Sequence, residues 1–520
     1  MSKSKSNLIK GTIILTLAGF LTRIVGFFYR IFLSNAMGAE ALGVYQLVFP
    51  IYSICFTIFA SGIQTAISTL VANELGKQRY TGIMKVLRNG GIISFSLALL
   101  LSFFTYHYST FLAVHILREP ATASSLRILA ICFPFCGITS CINGYYYGLK
   151  KAGIPATTQL LEQIIRVLAV YFIAASAGGG NLKVTCDLAV LGIVFGEIAS
   201  QLYNVGSMFL TKTSRNIRHL SSSYAALNTS GSSPMNTKGD GLTRGLIKMS
   251  IPLTANRLLI SILHSVEAIL IPAMLKKYGL SSEEALSIFG VLSGMSLPFI
   301  LFPSAITNSL SVLLLPTISE AQSAGQDSLI KRTSAITIKY SLLIGILSTG
   351  IFISFGNELG NLVYHNSLSG SFLIILAWLC PFLYITTTLN SIINGLGLVH
   401  LTFVGTVLGL IIRIVIIIAL VPMQGINGYL ISLLVSQLIM TVFGAYLVVK
   451  YIHPPFQAAE VIAKPGIIVA LCSFMIHRFY LHLPAASQSL KSVLLLCVLL
   501  LCSSMLLMYL TKTISSEDFK

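Results

Sequence analysis

The residues of this sequence most able to do chemistry are charged side chains inside long apolar segments. Charges are costly in such segments, so each is a candidate for function. Arg23 and Arg30 are seven residues apart in the first segment, which places them on one helix face, two turns from each other. Guanidinium groups match phosphate oxygens. Snorkelling to the membrane interface is the structural alternative, and it suits Arg30, near the segment end, better than Arg23.

A second polar group follows helical spacing. Gln159, Glu162, Gln163 and Arg166 stand at positions i, i+3, i+4 and i+7, which predicts one polar face on an otherwise apolar helix. Glu162 and Arg166 can pair at i, i+4, and that pairing would lower the cost of burying both. The four residues are therefore either part of a transport site or a structural link between helices.

Acidic residues within apolar segments are candidates for ion coupling. Glu267 stands near the middle of a segment that opens with Pro252, and a carboxylate at that depth can carry a proton or bind Na⁺. Arg257 and His264 fall within the same broad helix face. A lone histidine such as His264 is more typical of a satisfied buried side chain. Glu197 is a weaker candidate of the same kind as Glu267, and Glu162 completes the acidic set.

The composition indicates the elements that must position these residues. Of 520 residues, 55% are hydrophobic and only 10% charged, whereas soluble domains carry about 25% charged residues. The mean hydropathy is +0.85. The net charge of +18 does not indicate nucleic acid, because the basic residues lie in short loops between apolar runs. Most of the nine cysteines lie inside apolar runs without a C-x-x-C pair, so we predict no disulfide framework and no structural metal.

Fourteen segments are long and apolar enough to cross a bilayer, which predicts an all-α, polytopic membrane protein. Lys and Arg concentrate in the loops that are cytoplasmic if the N-terminus is cytoplasmic, and this bias predicts that both termini face the cytoplasm. The predicted spans cover residues 10–33, 44–70, 89–114, 124–148, 156–177, 187–211, 246–273, 285–315, 333–356, 370–395, 399–421, 426–450, 463–482 and 490–511.

An internal repeat relates two parts of the chain. A shift of 247 residues pairs Pro134 with Pro381 and Arg166 with Arg413, and a shift of 236 pairs Ser200-Gln201-Leu202 with Ser436-Gln437-Leu438. Arg413 has no carboxylate nearby in its own helix. Two parallel six-span repeats place a substrate site between them. The predicted domains are an N-terminal lobe (1–212), a Ser- and Gly-rich cytoplasmic linker (213–244), a C-terminal lobe (245–452) and two additional helices (453–520).

Enzymatic motifs are absent from the sequence. It contains no Walker A, H-E-x-x-H or G-x-S-x-G pattern. We therefore predict a transporter with no catalytic residues, no bound cofactor and no metal. Coupling to Na⁺, H⁺ or the membrane potential remains open.

Several motifs resemble one family. Lys10-Gly11-Thr12, Thr22-Arg23 and Gly26-Phe27 are similar to the N-terminal signature of the stage V sporulation protein B group. That group belongs to the polysaccharide transporter branch of the multidrug/oligosaccharidyl-lipid/polysaccharide exporter superfamily. Asn143-Gly144-Tyr145-Tyr146-Tyr147-Gly148 and Pro316-Thr317-Ile318-Ser319-Glu320 resemble its later blocks. The resemblance covers nearly the whole chain.

This resemblance implies a flippase in the bacterial cell membrane. Its cargo would be an undecaprenyl-diphosphate-linked saccharide, specifically the peptidoglycan lipid precursor for the spore cortex, moved by alternating access. Related flippases use arginines in a central cavity, and Arg23 matches one of them. Arg30, Arg166, Arg257, Arg413, Gln159 and Gln163 are the further candidates to line such a cavity. The implied partners are the lipid-linked oligosaccharide, membrane lipids and cell-wall synthesis enzymes; the oligomeric state is left open.

Two alternatives differ in their chemistry. A cation-coupled multidrug exporter can use the same fold, but it would need accessible carboxylates in place of arginines. A membrane glycosyltransferase or polymerase would need loops with clustered acidic residues or histidines, and the loops of this chain carry few of them.

Overall fold

The computed structural model describes residues 2–177, 183–211, 216–217, 239–455, 459–482, 484 and 489–514. Within these residues, all regular structure is helical. The helices are α1 (Ser2–Met37), α2 (Ala39–Phe56), α3 (Gly62–Gly76), α4 (Tyr80–His107), α5 (Ser109–Phe111), α6 (Ala123–Ala130), α7 (Phe133–Gly148), α8 (Gly153–Ala177), α9 (Cys186–Leu210), α10 (Gly239–Lys277), α11 (Ser282–Gly290), α12 (Leu297–Leu301), α13 (Ser304–Ser323), α14 (Asp327–Tyr364), α15 (Ser367–Ala377), α16 (Cys380–Gly395), α17 (Val399–Gln424), α18 (Ile426–Ile452), α19 (Lys464–Leu481) and α20 (Leu490–Leu510).

The number of membrane-spanning helices agrees with the prediction. Among the described residues, twelve helices are long and apolar enough to cross a membrane, and two further bent pairs raise the number to 14 if each pair is one span. A helix satisfies its backbone polar groups internally, and lipid offers no other partner for them. The predicted all-α, polytopic architecture is confirmed.

The bent pairs preserve the internal repeat. α6 and α7 meet at 51°, and α15 and α16 meet at 55°. Pro134 and Pro381 stand in the first turn of α7 and α16. Proline has no N–H to donate to the preceding turn, so each span is interrupted at the same point of its repeat.

Short π-helices interrupt other spans. Thr57–Ser61 connects α2 to α3, and Val291–Ser296 connects α11 to α12. Such insertions bend a helix and are frequent at functional sites.

The chain folds into two compact units. Unit 1 comprises Met1–Gly26 and Val44–Ile269, and unit 2 comprises Phe27–Gly43 and Leu270–Lys520. The first spans of both repeats, α1 and α10, are therefore each divided between the units. The predicted lobe limits, 1–212 and 245–452, follow the sequence repeat and stay a prediction. α10 begins at Gly239, inside the predicted linker 213–244, and most of that linker lies outside the described residues.

Close helix packing forms the core of unit 1. Tyr145 and Tyr146 are fully buried between residues of α3 and α4. The flanking glycines permit this approach, because a Cβ on Gly144 would stand 2.6 Å from the Gln64 carbonyl oxygen. In unit 2, the corresponding core joins Ile318 of α13 to Leu389 and Ile392 of α16.

Candidate functional site

The polar face of α8 contains an ion pair. Arg166 Nη2 contacts Glu162 Oε1, and Arg166 Nη1 donates to Gln163 Oε1 at 3.2 Å. The side chains of Arg166 and Glu162 are 18% and 23% exposed, so the pair lies mostly out of solvent. The buried Nε of Arg166 has no hydrogen-bond partner among the described residues. One donor of this guanidinium is therefore left unpaired.

α9 brings a second carboxylate to this face. A Cβ on Gly196 would stand 2.8 Å from the Glu162 carbonyl oxygen, so the two helices approach closely there. The next residue, Glu197, is 6% exposed. The hydroxyl of Tyr52, on α2, donates to Glu197 Oε1 at 3.4 Å and lies 3.8 Å from Cys136 Sγ. Unit 1 thus assembles two carboxylates, one arginine and one phenol from three helices.

Arg257 on α10 lies apart from this network. It is exposed, and its Nη1 donates to both the carbonyl oxygen of Ser61, at 2.6 Å, and the Ser61 Oγ, at 2.7 Å. Ser61 is the last residue of the π-helix Thr57–Ser61. Ser61 therefore holds the Nη1 end of the Arg257 guanidinium and leaves its Nε and Nη2 groups for other partners.

The other two predicted residues of α10 form a contact with each other. His264 Nδ1 lies 3.5 Å from Glu267 Oε2, with the histidine side chain 56% exposed and the glutamate side chain 8% exposed. The Glu267 carboxylate is therefore buried, whereas the His264 imidazole beside it is exposed.

The remaining unit 1 candidates lie on the protein surface. Arg23 and Gln159 are exposed, and neither has a hydrogen bond or ion pair to the described residues. Arg30 is exposed as well but belongs to unit 2, where it interacts electrostatically with Tyr364.

Unit 2 holds the repeat mate of Arg166. Arg413 Nε donates to Ser436 Oγ at 2.8 Å, across α17 and α18. A small cleft lies near the cytoplasmic ends predicted for these helices. It is lined by hydroxyl, amide and apolar groups, among them Thr386, Asn390, Thr402, Met440 and Phe443.

Sequence reasoning missed Tyr52, Cys136 and Ser61. Each is a common residue type in an apolar span, and its role depends on a neighbour from another helix. A second signal was available in the repeat: Thr139 Oγ1 donates to Gln201 at 2.9 Å, and their mates Thr386 and Gln437 are joined at the same distance. In the described residues, no group of three His, Cys, Asp or Glu side chains could hold a metal ion.

These features define a class, the multi-pass helical membrane proteins. The family model described as "Polysaccharide biosynthesis protein" matches residues 8–322, and the chain belongs to that family. Stage V sporulation protein B of Bacillus subtilis (strain 168) is 25% identical over 91% of this chain and 89% of its own length. Lipid II flippase MurJ of the same organism is 21% identical over 90% of this chain and 87% of its own.

Solved structures share the fold. A structure of lipid II flippase MurJ in an inward closed conformation superposes with a TM-score of 0.68 at 15% identity, covering 96% of this chain and 99% of that one. An inward-facing MATE family multidrug resistance transporter gives a TM-score of 0.63 at 13% identity, covering 84% and 98%. The chain therefore has the fold of the multidrug/oligosaccharidyl-lipid/polysaccharide exporter superfamily, as predicted, and it belongs to the polysaccharide biosynthesis protein family.

Proposed function

We propose that this protein flips undecaprenyl-diphosphate-linked saccharides across the bacterial cell membrane by alternating access. We propose further that its cargo is the peptidoglycan lipid precursor for the spore cortex. The names of the two Bacillus subtilis relatives, one a sporulation protein and the other a lipid II flippase, support this choice.

One observation carries the proposal. In unit 1, Arg23 and Arg257 are exposed within spans, whereas three carboxylates in the interiors of spans are mostly or fully buried. Glu162 is paired with Arg166, Glu197 is 6% exposed, and the Glu267 side chain is 8% exposed. Accessible guanidinium groups suit a diphosphate. A drug-cation exporter would need the opposite arrangement, so the structure disfavours the multidrug alternative.

The test is translocation by the purified protein in proteoliposomes that contain a fluorescent undecaprenyl-diphosphate saccharide. We expect Arg23→Ala and Arg257→Ala each to lower the rate at least about tenfold, since each removes a charge-assisted bond to phosphate. Arg88→Ala is the matched control, because Arg88 is also exposed and its side chain bonds only its neighbour Asn89. Undiminished flipping in both test variants would exclude these arginines from the site.

We propose, second, that Glu197 couples transport to an ion gradient. Glu197 is a buried carboxylate with no ion pair within the described part of the chain, and Arg166 is already committed to Glu162. A buried carboxylate of this kind can exchange a proton or Na⁺ during the cycle.

We propose also that both termini face the cytoplasm, because Lys and Arg concentrate in the loops on that side.

The coupling test uses the same proteoliposomes with imposed gradients. We expect Glu197→Gln to flip lipid at the same rate with and without a pH or Na⁺ gradient, whereas the unmodified protein responds to one of them. A pH response identifies H⁺ and a Na⁺ response identifies Na⁺. Continued acceleration of Glu197→Gln by the gradient would refute the assignment.

A further inference from the structure

The face of α10 that meets the second span is built from hydroxyl groups. Thr57 Oγ1 lies 2.9 Å from Ser261 Oγ, and Ser265 Oγ donates to the Pro50 carbonyl oxygen at 3.1 Å. Pro50 is inside α2, and Thr57 begins the π-helix. These contacts fix α10 against the span that carries Ser61.

The contact tightens at the end of the π-helix. A Cβ on Gly62 would stand 2.0 Å from Thr254 Oγ1 and 2.9 Å from the Ser250 carbonyl oxygen. No side chain fits there, so the backbone of the second span lies directly against α10. One helical turn further along α10 is Arg257, whose Nη1 reaches Ser61.

The geometry of that contact occupies one corner of the guanidinium. Nη1 donates to two oxygens of the same residue, at 2.6 and 2.7 Å. Nε and Nη2 make no hydrogen bond to other described residues. A guanidinium presents its donors in a rigid planar fork, and the Nε–Nη2 edge offers two parallel N–H groups, which match two phosphate oxygens.

We infer that Ser61 is a positioning residue, which anchors Nη1 of Arg257 so that the Nε–Nη2 edge is held ready for a phosphate of the lipid-linked substrate. The role of the phosphate rests on the proposed function, whereas the anchoring of Arg257 does not. Ser61 is the last residue of the π-helix, and its carbonyl and hydroxyl oxygens both accept from the same guanidinium nitrogen.

The first test needs no substrate. The full-length protein in lipid nanodiscs is treated with phenylglyoxal, which modifies arginine, and the modification of Arg257 is followed by peptide mass spectrometry. We expect Ser61→Ala to speed this modification about fivefold, because a hydrogen bond to a charged donor is lost. Ser61→Cys, of similar size but a weak acceptor, should act likewise, and Ser61→Thr should restore the slow rate.

Thr69→Ala is the control, because the Thr69 hydroxyl bonds only the Thr65 carbonyl oxygen of its own helix. An unchanged rate of Arg257 modification in both Ser61→Ala and Ser61→Cys would overturn the inference. If Ser61→Ala fails to fold, Ser61→Cys alone decides the result.

The second test measures binding of undecaprenyl diphosphate to the same nanodiscs. We expect Ser61→Ala to weaken binding about tenfold and to have no further effect in an Arg257→Ala background, because it acts only through that arginine. Additive losses would refute positioning. Loss of affinity in Arg257→Ala with none in Ser61→Ala would also refute it while leaving the proposed function intact. Absence of binding by the unmodified protein would instead refute the proposed function, and the modification rates would still decide the anchoring.

Discussion

The α8–α9 interface of unit 1 and the α17–α18 interface of unit 2 occupy equivalent positions in the repeat but are built from different chemistry. In unit 1, Thr158 Oγ1 donates to Asn204 Oδ1 at 2.8 Å, and Asn204 Nδ2 donates to Asn143 Oδ1 at 3.3 Å. The mates of Thr158 and Asn204 in unit 2 are Gly405 and Met440.

Unit 2 replaces this polar contact with apolar packing. A Cβ on Gly405 would stand 2.7 Å from the Phe443 ring, and a Cβ on Gly409 would stand 2.3 Å from Met440 Cγ. Large side chains of α18 thus fill the space that the glycines of α17 leave. Gly409 is also the mate of Glu162, so the position that supplies the acidic partner of Arg166 in unit 1 carries no side chain in unit 2.

The two repeats therefore share their helix geometry but differ in the polar side chains at this interface. The Thr–Gln pair and the bent span recur in both halves, since they determine helix geometry. The carboxylates Glu162 and Glu197 occur in unit 1 alone among the mates compared, because Gly409 and Leu433 stand at their positions in the other half. A coupling role in this transporter is accordingly proposed for unit 1.

The largest expected effect comes from breaking the charge balance of unit 1. Arg166→Ala leaves Glu162 without its cation near Glu197, and we expect it to lower the free energy of unfolding by about 3 kcal/mol, at the low end for a buried pair because both side chains are partly exposed. Thermal unfolding followed with a thiol-reactive dye measures this, since eight of the nine described free cysteines are at least partly buried. Arg88→Ala should change stability by less than about 0.5 kcal/mol. Equal effects of the two variants would contradict the prediction.

The next effect comes from overfilling the unit 2 interface. Gly405→Val forces a side chain into the space held by the Phe443 ring, and we expect a loss of about 2 kcal/mol. Gly466→Val on α19 is the control, because a Cβ on Gly466 meets no atom within 4 Å. If both glycine variants melt at the same temperature, the close packing of α17 and α18 is not what stabilises unit 2.

A smaller effect tests the polar interface at the matching position of unit 1. Thr158→Val keeps the shape but removes the donor to Asn204, and we expect a loss of about 1 kcal/mol. Its neighbour Thr157 is exposed and bonds only the Gly153 carbonyl oxygen, so Thr157→Val should be close to neutral. If Thr158→Val leaves the melting temperature unchanged, the hydrogen bond to Asn204 does not stabilise the α8–α9 interface, and the contrast with the α17–α18 interface fails.

The smallest effect comes from transplanting one interface onto the other. Gly405→Thr, Met440→Asn and Phe443→Ser together place the unit 1 residues Thr158, Asn204 and Ser207 at their unit 2 positions. We expect the triple variant to be more stable than the sum of its single variants by about 0.5–1 kcal/mol, because the new polar groups are neighbours that can bond one another. If the stability changes of the three single variants add up to that of the triple variant, the transplanted polar groups do not bond one another.

The predictable features of this fold follow from local physics. The fourteen spans, the charged residues within them and the i, i+4 pairing of Glu162 with Arg166 can be read from spacing, because lipid requires continuous apolar helices. The bends near Ile131 and Trp378 follow aligned prolines, although proline alone does not give their angles. The roles of the predicted arginines stay predictions.

Hydropathy and residue spacing are enough to predict an all-helical membrane protein with an internal repeat and charged residues within its spans. The packing of the helices sets which of these charges are exposed: Glu197 is buried and bonded by Tyr52, Glu267 is buried beside His264, and Arg257 is exposed and held by Ser61. The physical reason is the range of the interactions involved. Hydropathy and helical periodicity act within about twenty residues of the chain, whereas Ser61 and Arg257 are brought together by helix packing across nearly two hundred residues.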